Sequence, residues 1–372
     1  MIMKNGTIRV IGALIVIGLW AVLAVFAWVK PADETSEAER RQLAQKPVFS
    51  AESFTNGSFA AEFEDYSLDQ FPLRDSFRQV KSLFSYYGLW QSDNNNIYVH
   101  TGYVEKLNYP LNEQALQTAK ELFESVYEKH LKGKTEQIYF AVVPDKGYYL
   151  TPENGFPAMD YDKLMEQMTF PWAQTVDLTD VLTKEDYYRT DTHWRQEALL
   201  PAAQKLAQAM GQTGPTAEQY TPQPLERPFY GVYYGQAALP MKPDTLYTMH
   251  STVLDGVTVT GYDDLGRQVE VPLYNMEAGA DLYDTFLNGS KQSLLVIENP
   301  LAKTDRELVI FRDSFGCSIA PLLVEDYARV TLVDLRTLSP MALYMVNCKD
   351  ADVLFLQSTL VLNNPDSFRT GT

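Results

Sequence analysis

The chain has 372 residues, of which 45% are hydrophobic and 12% aromatic. This length and composition allow a sizeable core in one large domain or two, and they exclude a disordered protein. The charge balance is acidic, with 31 Lys and Arg against 48 Asp and Glu. Because no basic block occurs beyond the extreme N-terminus, and phosphate neutralisation needs clustered Lys and Arg, the sequence argues against a nucleic-acid partner.

An uncharged apolar segment occupies residues 10–29, between Arg9 and Lys30. As a helix it would extend roughly 30 Å, the thickness of the hydrocarbon layer of a membrane. Basic residues precede the segment and acidic residues follow it, so the positive-inside bias predicts residues 1–9 in the cytoplasm. We therefore predict a single-pass anchor in the cell membrane, with the C-terminal domain extracytoplasmic.

A cleaved signal peptide is the alternative, with Val25 and Ala27 as small residues ahead of a cut. The apolar core is long for that purpose, which favours the anchor. Either interpretation exports the body of the chain. The two cysteines, Cys317 and Cys348, exclude a disulfide-dense scaffold, and they leave open one bridge or two free thiols.

Composition and apolar periodicity divide the exported part into a polar stalk at residues 30–55 and an α/β domain at residues 56–372. Helical spacing predicts helices around residues 74–87, 111–131 and 198–210. Continuous apolar runs predict strands, and alternating or turn-rich stretches predict hairpins, at residues 97–107, 138–143, 175–178, 252–274, 294–297, 308–311, 330–333 and 353–356. Strands separated by helices indicate a parallel sheet covered on both faces.

Two parts of this domain depart from the simple alternation. Residues 211–293 are rich in Tyr, Thr, Val, Gly and Pro, which predicts a β-rich insertion or cap, with a hairpin turn at residues 263–266. Nearer the stalk, Phe77, Val80, Phe84 and Tyr87 recur at helical spacing. The expectation is an amphipathic helix that packs these side chains on the main domain.

Ser314 lies in the stretch RDSFGCS, after the predicted strand 308–311 and before a predicted helix. A serine on such a turn presents its hydroxyl at the carboxyl edge of a sheet, beside free N–H groups of the following helix. Serine becomes a nucleophile only when a base takes its proton. The sequence Asp191-Thr192-His193-Trp194 offers an imidazole base with a carboxylate two residues away.

Asp-x-His pairs also occur as helix caps, and a lone histidine is often structural, so the pattern alone leaves both interpretations open. The other three histidines, His100, His130 and His250, lack a comparable setting and are interpreted as structural. His193 and Ser314 both follow predicted strands, where clefts form in open α/β sheets. The sequence therefore predicts a Ser-His-Asp triad without showing that its members meet.

Several stretches together resemble one protein family. These are TDTHW at 190–194, FRDSFG at 311–316, DQFPLRD at 69–75, PDK at 144–146 and VTLVDLR at 330–336. They are similar to signatures of the DHHW family and of the related alginate O-acetylation proteins AlgX and AlgJ, in the SGNH-hydrolase-like group. Thr192 stands where DHHW proteins usually have His, and Arg312 stands where Lys is frequent.

The resemblance implies a three-layer α/β/α parallel sheet, Ser314 as nucleophile, His193 as base and Asp191 as the orienting acid. It also implies an acyl donor supplied by a membrane-bound acyltransferase. Lys146, Arg312 and Trp194 are further candidates for contacts with substrate or oxyanion. For Lys146 the alternative is a solvated loop lysine, and for Trp194 it is a core position.

Other chemistries find little support. The sequence lacks paired histidines and Cys-x-x-Cys spacing, so no metal site is predicted, and no cofactor is implied. GKT at 133–135 is not a phosphate-binding loop, because position 128 is Glu and a strand follows. Cys317 is disfavoured as a nucleophile against Ser314.

The function that best fits these observations is a membrane-anchored serine acyl enzyme that O-acetylates a cell-surface polysaccharide. A carbohydrate esterase or deacetylase would use the same residues and differ only in letting water attack the acyl-enzyme. A non-catalytic glycan-binding or assembly protein of the cell envelope is the third interpretation.

Overall fold

The computed structural model describes residues 2–36, 38–263 and 266–368, and the chain forms two compact units. Unit 1 comprises Met1–Asn94 with Gly235–Pro240, and unit 2 comprises Asn95–Tyr234 with Met241–Thr372. Part of the predicted turn at 263–266 and the last four residues of the predicted domain lie outside the described residues. The two units divide at Asn94, downstream of the boundary that the sequence suggested at residue 55.

Unit 1 is mainly helical. Its elements are α1 (Ile2–Val29), β1 (Thr35–Ser36), β2 (Arg41–Gln42), α2 (Ala51–Thr55), α3 (Ser58–Asp69), α4 (Arg74–Leu83) and β3 (Asp93–Asn94). Within α1, the stretch Gly6–Ala27 is long and apolar enough to cross a membrane, a test that a signal sequence also passes. The segment predicted as a polar stalk contains the antiparallel pair β1–β2 and the short helix α2.

The apolar side of α4 is exposed. Phe77, Val80 and Phe84 have exposed fractions of 46%, 64% and 60%, whereas Ser82 and Ser85 of the same helical stretch are buried. These apolar side chains are therefore not covered within unit 1, and their packing on the main domain stays a prediction. Periodicity identifies a face of a helix, but it does not identify what covers that face.

Unit 2 contains the remaining elements. Its strands are β4 (Ile97–His100), β5 (Tyr103–Lys106), β6 (Ile138–Val143), β7 (Gln174–Thr175), β8 (Thr221–Pro224), β9 (Tyr247–His250), β10 (Thr258–Tyr262), β11 (Gln268–Glu270), β12 (Leu294–Glu298), β13 (Glu307–Arg312), β14 (Arg329–Val333) and β15 (Asp352–Ser358). Its helices are α5 (Glu113–Val126), α6 (Lys146–Asn154), α7 (Tyr161–Gln167), α8 (Leu200–Ala209), α9 (Val232–Ala237, starting in unit 2), α10 (Gly316–Leu323), α11 (Pro340–Leu343) and α12 (Thr359–Leu362).

An eight-stranded sheet forms the centre of unit 2, in the order β11-β10-β12-β14-β13-β15-β6-β7. The five strands from β14 to β7 are parallel, as predicted. The strands β10 and β12 are antiparallel to their neighbours, so the sheet has an antiparallel edge beside its parallel centre. The neighbours β10 and β12 are connected through the hairpin strand β11 and a short 3-10 turn at Leu282–Thr285, without the helical crossover that parallel neighbours usually have.

Both faces of the sheet are covered by apolar side chains. All six residues of β6 are buried, and they alternate between two cores. Phe140 belongs to the core that includes Phe123 of α5, and Ala141 belongs to the core that includes Leu206 of α8. This explains why β6 and β13 have continuous apolar sequences instead of alternating ones.

The carboxyl ends of β6, β13 and β15 meet at one edge of the sheet. The Asp313 carboxylate, just after β13, accepts a 2.7 Å hydrogen bond from the Ser358 N–H at the end of β15. The Asp145 N–H, just after β6, donates to the Thr359 hydroxyl over 2.9 Å. Three loops are thereby tied together at the edge where open α/β sheets form their clefts.

We expect Phe355→Ala to lower the free energy of unfolding by about 3–5 kcal/mol, because it opens a cavity in the middle of the sheet. Phe355 is fully buried on β15, and its ring lies 4.7 Å from that of Phe311 and 5.7 Å from that of Phe140. Denaturant unfolding of the full chain in detergent measures the change. Met341→Ala, at a side chain that is 79% exposed, is the control and should stay within about 0.5 kcal/mol of the wild type. Equal losses in the two variants would contradict this packing.

Candidate active site

Ser314 lies on the turn between β13 and α10, where its side chain is partly exposed. The Asp313 carboxylate braces the turn by accepting the Phe315 N–H over 2.9 Å. The turn is tight at Gly316, where a Cβ atom would lie 2.5 Å from the Cβ of Arg312. These contacts fix the backbone on both sides of the Ser314 hydroxyl.

A continuous chain of hydrogen bonds joins Ser314, His193 and Asp191. The Ser314 Oγ lies 2.8 Å from the His193 Nε2, and the His193 Nδ1 lies 2.6 Å from the Asp191 Oδ1. Because a carboxylate oxygen accepts and does not donate, the Nδ1 carries the proton and the Nε2 is the acceptor for the serine hydroxyl. The structure thus brings together the three residues that the sequence selected.

Asp191 is fully buried, and backbone groups compensate for its lost hydration. Its Oδ1 also accepts the His193 N–H over 3.1 Å, and its Oδ2 accepts the Val232 N–H over 2.9 Å. The second of these bonds requires a close approach by the preceding residue, Gly231. A Cβ atom on Gly231 would lie 2.3 Å from the Thr190 carbonyl oxygen and 2.4 Å from the Asp191 Cα.

The loop that carries Asp191 is clamped from the region predicted as an insertion. The Asp244 Oδ2 accepts from the Thr190 N–H over 2.8 Å and from the Thr190 hydroxyl over 2.6 Å. The Thr190 hydroxyl in turn accepts from the Gly231 N–H over 3.0 Å. Sequence reasoning missed both Asp244 and Gly231, since neither lies in a recognisable motif.

Tyr283 packs directly on the imidazole of His193. The two rings are nearly parallel, at 8°, with centroids 3.7 Å apart. The Tyr283 hydroxyl lies within hydrogen-bond distance, 2.8 Å, of the Ser318 Oγ, and burial raises the pKa of Tyr283 well above its usual value, so the hydroxyl stays protonated. Tyr283 was also missed, because nothing in the sequence links a lone tyrosine in a loop to a distant histidine.

Lys146 does not face a substrate or an oxyanion, which corrects that prediction. Its side chain is fully buried, and the Nζ donates to the carbonyl oxygens of Asp191 and Tyr188 over 2.7 and 3.0 Å. The Glu105 carboxylate lies 3.7 Å from the Nζ. Burial lowers the pKa of Lys146 and raises the pKa of Glu105 to about 8. Lys146 is therefore placed to hold the backbone of Asp191.

The positions of Trp194 and Arg312 likewise correct their prediction as substrate contacts, because both side chains are fully buried. The Trp194 Nε1 donates to the Ser318 Oγ over 2.8 Å and to the Phe315 carbonyl oxygen over 3.1 Å, which ties the histidine loop to the serine turn. The Arg312 guanidinium lies 3.5 Å from the Asp334 carboxylate and donates to a backbone carbonyl. Both residues support the backbone around the site.

Most N–H groups on the serine turn already have acceptors. The Phe315 N–H donates to the Asp313 side chain, the Gly316 N–H to the Asp313 carbonyl and the Cys317 N–H to the Ser314 carbonyl. Within the described part of the chain, no hydrogen bond is formed by the N–H of Ser314 itself. This group, rather than those of the following helix, is the N–H available to an oxyanion beside the Ser314 hydroxyl.

Cys317 and Cys348 are both free and buried. Burial raises the pKa of the Cys317 thiol, which makes it a poor nucleophile, and its Sγ donates to the Gly289 carbonyl. Among the residues that the structure describes, no group of three or more His, Cys, Asp or Glu side chains is arranged to hold a metal ion.

Residues 103–249, which include Asp191 and His193, match a family model described as an SGNH hydrolase-like domain of the acetyltransferase AlgX. The chain carries an SGNH hydrolase-like domain. The match confirms the predicted fold class and the predicted kind of enzyme, one of the SGNH-like O-acetyltransferase or esterase type. No curated protein sequence matches the chain.

Solved structures agree with this fold. A DHHW family protein from Eubacterium siraeum is 20% identical, with a TM-score of 0.60, and the alignment covers 74% of this chain and 94% of that one. PatB1 from Bacillus cereus is 19% identical, with a TM-score of 0.59 over 75% of this chain and 100% of that one. PatB1 with a sulfonyl adduct aligns with 18% identity and a TM-score of 0.58, over the same shares of the two chains. The resemblance inferred from the motifs is therefore confirmed.

We expect Gly231→Ala to displace Asp191, because the new methyl group would occupy space held by the Asp191 Cα and Cβ. The low-field proton resonance of the His193 Nδ1–H, assigned by its loss in His193→Gln, should move or broaden. The overpacking should also cost about 1–3 kcal/mol of stability. Gly279→Ala is the matched control, since a Cβ atom there meets nothing within 4 Å. An unchanged resonance in Gly231→Ala would show that the carboxylate tolerates the methyl group.

We expect Lys146→Met to disturb the same resonance and to lower the free energy of unfolding. The substitution keeps the length of the side chain but leaves two buried carbonyl groups without their donor, at about 1–3 kcal/mol each. Lys349→Met, at an exposed position, is the control for loss of one positive charge. A variant as stable as this control, with the wild-type resonance, would refute the positioning role of Lys146.

Proposed function

We propose that the chain is a membrane-anchored serine acyl enzyme that transfers O-acetyl groups to a cell-surface polysaccharide. The observation that carries this proposal is the hydrogen-bond chain from the Ser314 Oγ through both nitrogens of His193 to the Asp191 carboxylate. In this proposal Ser314 is the nucleophile, His193 the general base and acid, and Asp191 the group that orients the ring.

In the first half of the reaction, the His193 Nε2 takes the proton from Ser314 while the Oγ attacks the carbonyl carbon of an acetyl ester. The tetrahedral oxyanion is stabilised by the Ser314 N–H. When the intermediate collapses, the bond to the donor oxygen breaks, and the His193 Nε2–H protonates that leaving oxygen. Acetyl-Ser314 and the free donor alcohol are the products of this half.

In the second half, a sugar hydroxyl occupies the place vacated by the donor alcohol. His193 takes its proton as the oxygen attacks acetyl-Ser314, and then returns that proton to the Ser314 Oγ as it leaves. An esterase follows the same path with water as the attacking group. The stacked ring of Tyr283 limits rotation of the imidazole, so the Nε2 stays aligned with the serine throughout.

Two further observations support the acceptor and the setting. The family model that matches residues 103–249 describes an acetyltransferase, and the motifs resemble those of alginate O-acetylation proteins, which favours a polysaccharide acceptor and a membrane-bound acyl donor. The helix α1 has the length and composition of a membrane span. Its flanking charges favour a site outside the cell membrane.

We expect Ser314→Ala to abolish covalent labelling by a fluorophosphonate or a sulfonyl fluoride and to lower the rate of ester cleavage by roughly 10³-fold or more. Intact-protein mass spectrometry measures the labelling, and release of acetate from a small acetyl ester measures the rate. Cys317→Ala is the matched control, because it removes the competing nucleophile three residues away and should label at the wild-type rate.

The same assay with an oligosaccharide present separates transferase from esterase. Acetyl groups on the sugar, formed at the expense of free acetate, support transfer, whereas acetate alone supports hydrolysis. Wild-type protein that neither labels nor cleaves would contradict the enzymatic proposal.

A further inference from the structure

In unit 1, the helix α4 and the π-helical turn Phe84–Gly88 that continues it expose an apolar face, which begins at Leu73 just before the helix. We call the side chains of Leu73, Phe77, Val80, Phe84 and Tyr87 the outer face of α4. Their spacing of three and four residues places them on one side of the helix, and their exposed fractions run from 46% to 69%. A contiguous apolar surface of this kind marks a site that contacts lipid or another protein.

Three polar side chains of α4, those of Arg74, Arg78 and Ser82, are turned inward and held there. The Arg74 guanidinium lies 2.6 Å from one oxygen of the Glu39 carboxylate, and the Arg78 guanidinium lies 3.1 Å from the other. One turn further on, the buried Ser82 hydroxyl accepts a 2.9 Å hydrogen bond from the Asn94 side chain. The helix is thus reversed relative to one on a soluble domain, which buries its apolar side.

This reversed orientation is fixed by specific bonds. Arg78 also donates to the Gly235 carbonyl over 2.8 Å, so both arginines and the serine would lose partners if the helix rotated. Turning the outer face toward unit 1 would separate Arg74 and Arg78 from the Glu39 carboxylate, which would keep only its contact with Arg41. The outer face therefore needs a partner beyond the unit itself.

Contacts within unit 1 connect this face to the candidate membrane span. The Trp20 ring of α1 lies 6.4 Å from the ring of Phe71, and Phe71 lies 5.5 Å from Phe77 on the outer face. Trp20 is within the stretch Gly6–Ala27. Nine residues of helix separate it from the end of α1, about 14 Å along the helix axis. The Phe71 ring therefore lies beside the C-terminal half of the span, and Phe77 of the outer face contacts Phe71.

We propose that the outer face of α4 lies in the surface of the lipid bilayer beside the anchor, as an interfacial helix that holds unit 1 on the membrane. The inference rests on the proposed anchoring by α1 and goes beyond the proposed acyl transfer. The occupant of the face is lipid, at the boundary between headgroups and acyl chains, where an amphipathic helix buries its apolar side.

The composition of the face suits this boundary better than a protein core. Tyr87 at the end of the face and Trp90 just beyond it are 69% and 85% exposed. Tyrosine and tryptophan are enriched at membrane interfaces because one end of each ring is apolar and the other polar. The helix α4 and the π-helical turn after it have 10 and 5 residues, which together are too short to cross the hydrocarbon layer and fit an orientation along it.

The test uses the full chain at one copy per lipid nanodisc, with a nitrobenzoxadiazole label on Val80→Cys or Tyr87→Cys. The native thiols are buried, and the unsubstituted chain gives the background of labelling. We expect a blue-shifted emission that is largely quenched when the lipids carry bromine on their acyl chains. Gln79→Cys, which is exposed on the flank of the same helix, is the matched control and should emit as in water with little quenching.

Separate readouts distinguish the outcomes. Resistance to alkaline extraction reports on the anchor alone. If the chain resists extraction while the label emits as in water, the inference about the outer face is overturned and the proposed anchoring by α1 still holds. A blue shift that appears only with two copies in a disc indicates contact between copies, and a blue shift without bromine quenching indicates contact with protein; both overturn the inference. Unchanged thermal unfolding of each labelled variant shows that the unit has kept its fold.

Discussion

A buried carboxylate is stable only when donors replace the water it has lost, and the donors around Asp191 come from separate parts of the chain. The ring and N–H of His193 approach from its own loop, and the Val232 N–H approaches from beyond Gly231. Lys146, after another strand, holds the carbonyl of the same residue. Asp191 therefore fixes the histidine only when all three segments are folded.

The sheet explains how such distant segments meet. Neighbouring parallel strands deliver their carboxyl ends to one edge, and β6, β13 and β15 are neighbours. Asp145 and Asp313, each just after a strand, bind groups at the end of β15. These fixed loops position Ser314 after β13 and Lys146 after β6. Because Lys146 holds the loop that carries His193, Ser314 and His193 come within hydrogen-bond distance of each other.

Polar side chains close to the serine stabilise the site without facing its cleft. Trp194 and Tyr283 both reach the Ser318 hydroxyl, Trp194 from the histidine loop and Tyr283 from the face of the histidine ring. A hydroxyl can donate once and accept twice, so one small side chain serves both partners. Preorganisation of this kind keeps the imidazole in one orientation before any substrate arrives.

Unit 1 and unit 2 differ in which side chains they bury. In unit 2 the apolar side chains of the central strands β6, β13 and β15 are buried in two cores, one on each face of the sheet. In unit 1 the ion pairs of Arg74 and Arg78 with Glu39 direct the polar side of α4 inward. The contrast is consistent with two surroundings, an aqueous one for the domain and an apolar one for the proposed interfacial helix.

The sequence by itself predicted the central strands, the helices α4, α5, α8 and α10, and the three reactive residues. Continuous apolar runs located β6 to the residue and the central parts of β13 and β15, since both faces of these strands are buried. The ends of β13 and β15 were missed because buried polar residues such as Arg312 and Asp352 extend them. The residues Ser314, His193 and Asp191 were predicted as a Ser-His-Asp triad. Ser314 and His193 follow predicted strands, and Asp191 lies two residues before His193. The antiparallel edge was missed, because apolar runs carry no information about strand direction.

Only the tertiary structure decided what surrounds those residues. Lys146, Trp194 and Arg312 stood in or beside the motifs, yet their side chains turn into the interior and hold backbone groups. Gly231, Asp244 and Tyr283 belong to no motif and still shape the site. The direction of a side chain depends on the packing of segments far apart in the chain, whereas local sequence records only spacing and residue type, so the roles of these six residues emerge only in the folded molecule.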